Sequence, residues 1–186
     1  MNRLFLVVCI LFFASCKSET KTETTTENDI DQSVYNMWND FVEANPKFHD
    51  DELPESWYFH NNKADANRLA KLTLSGEKNA TTTGLYDWYK AAGADLPDIG
   101  TKHIVTDFSG KAQAIIEVKH VDTIPFNQMP KDFAAMDMGT QIDPLKKWKK
   151  AHWDFFESIM KERGEKPTED MLIVFERFKV IWPEKK

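Results

Sequence analysis

Apolar residues recur along the chain with two different periods. Val34, Met37, Trp38, Phe41 and Val42 fall at helical spacing, and Pro46 stops that run. A second helical stripe starts at about Lys63, brings Ala66, Leu69, Ala70 and Leu72 to one face, and ends at Gly76. The stretch "LYDWYKAAG" reads as a short helix. Period-two patterning follows in "KHIVTDF" and "KAQAIIEVKHVDTI", joined by a Ser109-Gly110 turn. In the second of these, Ala114, Ile116 and Val118 alternate against Ile115, Glu117 and Lys119. Leu145, Trp148, Phe155, Phe156 and Ile159 mark a third long helix, and "DMLIVFERFKVIW" closes the chain as a strand. Helices and antiparallel strands without regular βαβ alternation predict an α+β fold, a small β-barrel with helices against it.

The N-terminus has a different pattern. Arg3 precedes an unbroken apolar run, Leu4 to Ala14, and small residues Ala14 and Ser15 precede Cys16. This is the layout of a secretory signal over residues 1–15, and it falls short of the roughly 20 apolar residues that span a bilayer. "FASC" resembles a bacterial lipobox, which implies a lipidated Cys16 and a chain held at the cell envelope through membrane-inserted acyl chains. The alternative is a plain signal cut nearby, with Cys16 incidental. Residues 16–32 are polar, Thr- and Glu-rich and read as a tether. Residues 33–186 then form one domain.

Charge and cysteine usage narrow the chemistry. With 24 basic and 30 acidic side chains the net charge is −6, so no DNA partner is expected, because phosphate contacts need clustered Lys and Arg. Both cysteines, Cys9 and Cys16, lie in the leader region, which leaves the domain without a disulfide, a thiolate nucleophile or a Cys-ligated zinc. The five histidines show no close ligand spacing, so neither a metal nor another cofactor is expected. Lys146, Lys147, Lys149 and Lys150 surround Trp148, with His152 one turn on. Either this face holds nucleic acid by phosphate pairing and stacking, or the indole is core and the lysines are solvated. Glu117 and Glu176, each between apolar neighbours, read as exposed alternation positions. Trp57, Tyr58, Tyr86 and Trp88 either stack on a base or pack in the core. Lys78 and the run Thr81–Thr83 either decorate a turn and start a strand or line a site.

The words "MWNDFVEANP", "LAKLTLSGEKNATT", "LPDIGTKHIVTDFSGKAQAIIEV", "IPFNQMPKDFA", "LKKWKKAHWDFF" and "MLIVFERFKVI" occur in this order from Tyr35 to Trp182. In them the chain resembles the longer bacterial form of the ASCH domain family (activating signal cointegrator homology), whose β-barrel is related to the PUA RNA-binding domain. The family's G-x-K-x-x-T stretch is matched by Gly76, Lys78 and Thr81. In a relative that hydrolyses acetylcytidine, the lysine and threonine act with a later glutamate in an A-x-x-E setting, and "FAAMDMG" places Asp137 at that position. The resemblance thus implies Lys78, Thr81 and Asp137 as catalytic residues. Gly76, Thr82, Trp148 and His152 are the expected ligand-facing set. A threonine hydroxyl needs a base to become a nucleophile, and a lysine serves only where burial or a nearby cation lowers its pKa. The resulting expectation is an anchored lipoprotein with a cleft for a nucleoside-like or other small ligand, acting as an amidohydrolase on acylated nucleosides. The alternative is a non-catalytic module binding RNA fragments, nucleotides or a protein partner that the sequence does not identify.

Overall fold

The computed structural model describes residues 30–184. The apolar leader, Cys16 and most of the expected tether lie outside that range. Helix α1 (Gln32–Ala44) is capped by Asp31, whose side chain accepts from the Ser33 amide at 2.9 Å. Val34, Trp38 and Phe41 are its buried stripe. Helix α2 (Lys63–Ser75) is capped by Asn62, which accepts from the Asp65 amide, and ends on Gly76 at φ 80°. That left-handed conformation favours glycine. Helices α3 (Tyr86–Ala92) and α5 (Pro144–Lys161) stand where helical spacing put them. Helix α4 (Lys131–Met138) is an addition, because eight residues are too few to display a periodic stripe. Among the described residues no helix is long and apolar enough to cross a membrane.

The strands are β1 (Ser56–Trp57), β2 (Ala80–Leu85), β3 (Lys102–Thr106), β4 (Ala112–Pro125) and β5 (Leu172–Trp182). They form one mixed sheet in the order β1-β3-β4-β5-β2, with β1 parallel to β3 and every other pair antiparallel. The α+β class is as expected. The barrel takes a more open form, because the outer strands β1 and β2 are not hydrogen-bonded to each other. Register shifts interrupt the β3–β4, β4–β5 and β2–β5 ladders, and such bulges bend strands and sharpen their twist. Trp57 of β1 and Thr81–Thr83 of β2 consequently line one cavity.

Both sheet faces carry helices. α1 packs on Ile104 and Ile115, while α2 packs on Val105, Ile116 and Phe178. Phe133, Trp148 and Phe156, from α4 and α5, cover Ile173 and Phe175. Ile115, which alternation grouped with Glu117 and Lys119, is therefore buried under α1. Clean alternation belongs to sheets with one wet face, and this one is covered twice here.

Candidate active site

Gly76 positions the lysine that follows it. After the left-handed turn, the Lys78 amide bonds back to the Leu72 carbonyl at 2.9 Å, and the Asn79 amide reaches the Met136 carbonyl of α4 at 3.2 Å. These bonds send the Lys78 side chain inward, where it is only 1% exposed. Its ammonium donates to the Ala80 carbonyl at 2.8 Å, the Asp137 carbonyl at 2.8 Å and Asp137 Oδ1 at 2.5 Å. All three hydrogens are thus committed, and Nζ also lies 4.6 Å from the centre of the Phe59 ring. The carbonyls at the end of α4 carry the negative pole of that helix, which favours a cation.

Asp137, 4% exposed, is the hub of the polar cluster. Its Oδ2 accepts from Trp148 Nε1 at 2.9 Å and from the Thr82 hydroxyl at 3.2 Å, and His152 Nε2 lies 3.4 Å away. Burial alone raises a carboxyl pKa, but the charges of Lys78 and His152, with hydrogen bonds from Lys78 and Trp148, hold Asp137 below its ordinary value. Lys78 is also held below its ordinary value, by burial, with Asp137 opposing. Burial likewise lowers His152 against the pull of Asp137. Its Nδ1 sits 3.0 Å from the Trp148 carbonyl, which places a proton on that nitrogen.

Two adjoining cavities open beside this cluster. One, of about 260 Å³, is lined by Lys78, Thr81, Thr82, Asp137, His152 and Trp88, among others. The other, of about 480 Å³, shares Phe59, His60 and Thr81–Thr83 with it and reaches Trp57, His103 and Glu176. Thr81 faces Glu176 across the β2–β5 ladder, so their side chains are neighbours on one face of the sheet. Thr82, not Thr81, is the threonine whose hydroxyl reaches Asp137.

Lys78, Thr81, Thr82, Asp137 and His152 therefore meet at one cavity. Gly76 acts on the backbone behind it. Trp148 is corrected from a ligand-facing residue: it is 0% exposed, stacks on His152 at 4.3 Å between ring centres, and meets the site only through its N–H to Asp137. Of the lysines around it, Lys146, Lys147 and Lys150 are exposed and Lys149 is half-buried. Glu176 is the larger correction. Expected at the surface, it is 1% exposed, and Oε2 has no hydrogen-bond partner. Burial pushes its pKa up to about 7, against the opposing charge of Lys78. The signal in the sequence was an acid inside "IVFERF", a run apolar enough to be covered on both faces. Among the described residues no group of three or more His, Cys, Asp or Glu side chains is arranged to hold a metal ion.

A family model described as ASCH domain matches residues 55–182. The solved ASCH domain from Lactobacillus crispatus JV V101 superposes with a TM-score of 0.73 at 32% identity, covering 81% of this chain and 95% of that one. A solved protein from Enterococcus faecalis V583 gives 0.70 at 30% identity, covering 80% and 88%. No curated protein matches the chain. On the family match and these two structures, the chain belongs to the ASCH domain family.

Proposed function

We propose that the paired cavities take a nucleoside-like small molecule and that Thr81, with Lys78 and Asp137, hydrolyses an acyl–nitrogen bond on it. The observation carrying this reading is a Lys78–Asp137 ion pair, almost wholly buried, in the wall of a cavity that also presents Thr81. A buried pair is a poor device for stability, and ionisable groups shifted by burial and a specific charge partner in a cleft are candidates for a functional site. In the reaction, Lys78 acts from its neutral form, toward which burial biases it, and takes the Thr81 hydroxyl proton while Asp137 stays ionised and holds the amine in place. Thr81 Oγ1 bonds to the acyl carbon, the carbon–nitrogen bond breaks, and the departing nitrogen takes the proton held by Lys78. Water cleaves the resulting ester, its hydrogen returning to Thr81 Oγ1, and the acid and amine leave.

The test is turnover of acetylcytidine by the purified full chain and by Thr81→Ala, each checked by circular dichroism. Turnover that falls at least about a hundredfold in a folded variant supports the nucleophile. Unchanged turnover, or none in the wild type, sinks the assignment. A binding-only site is the second reading, favoured by the full commitment of the three Lys78 hydrogens. We place the chain at the bacterial envelope through a lipidated Cys16, on the strength of the leader pattern.

A further inference from the structure

His152 stands in the same polar cluster as Lys78 and Asp137, and forming the Thr81 ester gives it no part. Two contacts fix its ring. One face stacks on the wholly buried Trp148 indole, and Nδ1 donates its hydrogen to the Trp148 carbonyl one helical turn back at 3.0 Å. Nε2 is thereby brought to 3.4 Å from Asp137 Oδ2. That separation exceeds the roughly 2.7 to 3.2 Å of an N–H···O hydrogen bond, and Oδ2 already accepts from Trp148 Nε1 and the Thr82 hydroxyl. Among the described residues nothing hydrogen-bonds to Nε2.

The surrounding charges set the state of that nitrogen. Asp137 of α4 favours the imidazolium, whereas Lys78 after α2 and His60 before it oppose it together with burial. Asp65 and Arg68 of α2 line the same cavity but pair with each other at 2.9 Å. Burial prevails, so the ring is neutral near pH 7 and Nε2 carries a lone pair. Access separates this base from Lys78. The lysine side chain is 2% exposed and committed to Ala80 and Asp137, whereas that of His152 is 17% exposed, so water entering the cavity meets the imidazole first.

We propose that His152 is the general base of the second half of the hydrolysis, its Nε2 taking a hydrogen from the water that attacks the Thr81 ester. The inference deepens the hydrolytic reading and rests on Thr81 as nucleophile. The water oxygen bonds to the acyl carbon, the bond from that carbon to Thr81 Oγ1 breaks, and Oγ1 receives the hydrogen from Nε2. The carboxylic acid leaves, with histidine and threonine back in their starting forms. Between the two transfers the imidazolium faces the ionised Asp137, whose charge stabilises it. Lys78 thus serves the formation of the ester and His152 its removal.

The small activated ester p-nitrophenyl acetate tests this on the full chain, because it reports the two halves separately. Release of p-nitrophenolate measures acylation, and mass spectrometry locates the acetyl group and follows its lifetime once free ester is removed. His152→Ala and His152→Gln should each show a burst of about one equivalent of p-nitrophenolate. The steady rate that follows should be at least about a hundredfold below that of the wild type, with acetyl retained on Thr81. Added imidazole should shorten the life of the ester in His152→Ala, a rescue that a merely structural histidine would not give. Nitrogen NMR of the wild type at pH 7 should show a neutral ring protonated on Nδ1 alone. Thermal unfolding verifies each variant, and His152→Gln provides the readout should His152→Ala not fold. An ester no longer-lived than in the wild type, acylation slowed as much as deacylation, or a doubly protonated ring would overturn the inference and leave hydrolysis by Thr81 standing. No acetyl on Thr81 in any of the three proteins overturns the nucleophile and this inference with it. A long-lived ester in the variants, without acetylcytidine turnover by the wild type, overturns the amide reading alone and leaves His152 as the base.

Discussion

Replacing Glu176 by glutamine keeps the shape of the side chain and removes a charge that its surroundings disfavour. Its folded pKa of about 7 lies above the ordinary 4.5, so the folded chain holds this proton more tightly than the unfolded chain does. The wild type therefore loses stability as pH rises from about 4.5 to about 7, and the loss stays constant above that. The difference amounts to about 3 kcal/mol. Glu176→Gln should match the wild type near pH 4 and gain up to that amount at pH 8, which thermal unfolding at both values would measure. Lys78 is the charge acting against this shift, so an equal gain at both pH values would show that Glu176 is not held protonated. The sequence hid this residue for a definite reason. Alternation treats an acid between apolar neighbours as wet, and only the path of the chain reveals that the face is covered. Lys78 and Asp137 were legible through family words, whereas their contact across 59 positions was not.

Among the elements, α4 depends on how closely it approaches α2. Gly139 ends α4 at φ 60°, and a Cβ built there would lie 2.8 Å from Leu72 Cδ1. Gly139→Ala combines a strained backbone with that clash. It should cost about 2 kcal/mol and lower the melting temperature by several degrees. Because α4 supplies both Asp137 acceptors of Lys78, ligand binding should weaken in the same variant, and a simple loss of melting temperature with full affinity would refute that link. The long amphipathic helices were readable because three or more turns repeat their pattern. α4 and the two-residue β1 offered no period to read, and the threonine run at β2 was readable as strand or site and turns out to be both in placement: it forms an edge strand and lines the cavities.

For the whole molecule, the leader pattern and the domain make separate claims. Cys16→Ser should shift the protein from the membrane fraction to the soluble fraction while leaving the melting temperature of the domain unchanged, as fractionation and thermal unfolding would show. Continued membrane association would mean that something other than acyl chains holds it. The sheet topology itself came from no periodic signal, since strand order depends on contacts far apart in sequence. That order has a kinetic corollary. β1 holds to the sheet by two register pairs with β3, whereas β4 runs beside β5 over most of its length. Separating β1 is thus a small local opening rather than a global one, and its amides should exchange with deuterium far sooner than those of β4. Because Trp57 of β1 lines the larger cavity, an occupant that packs on it should slow the exchange of Ser56 and Trp57 by a factor that grows with its concentration relative to its Kd.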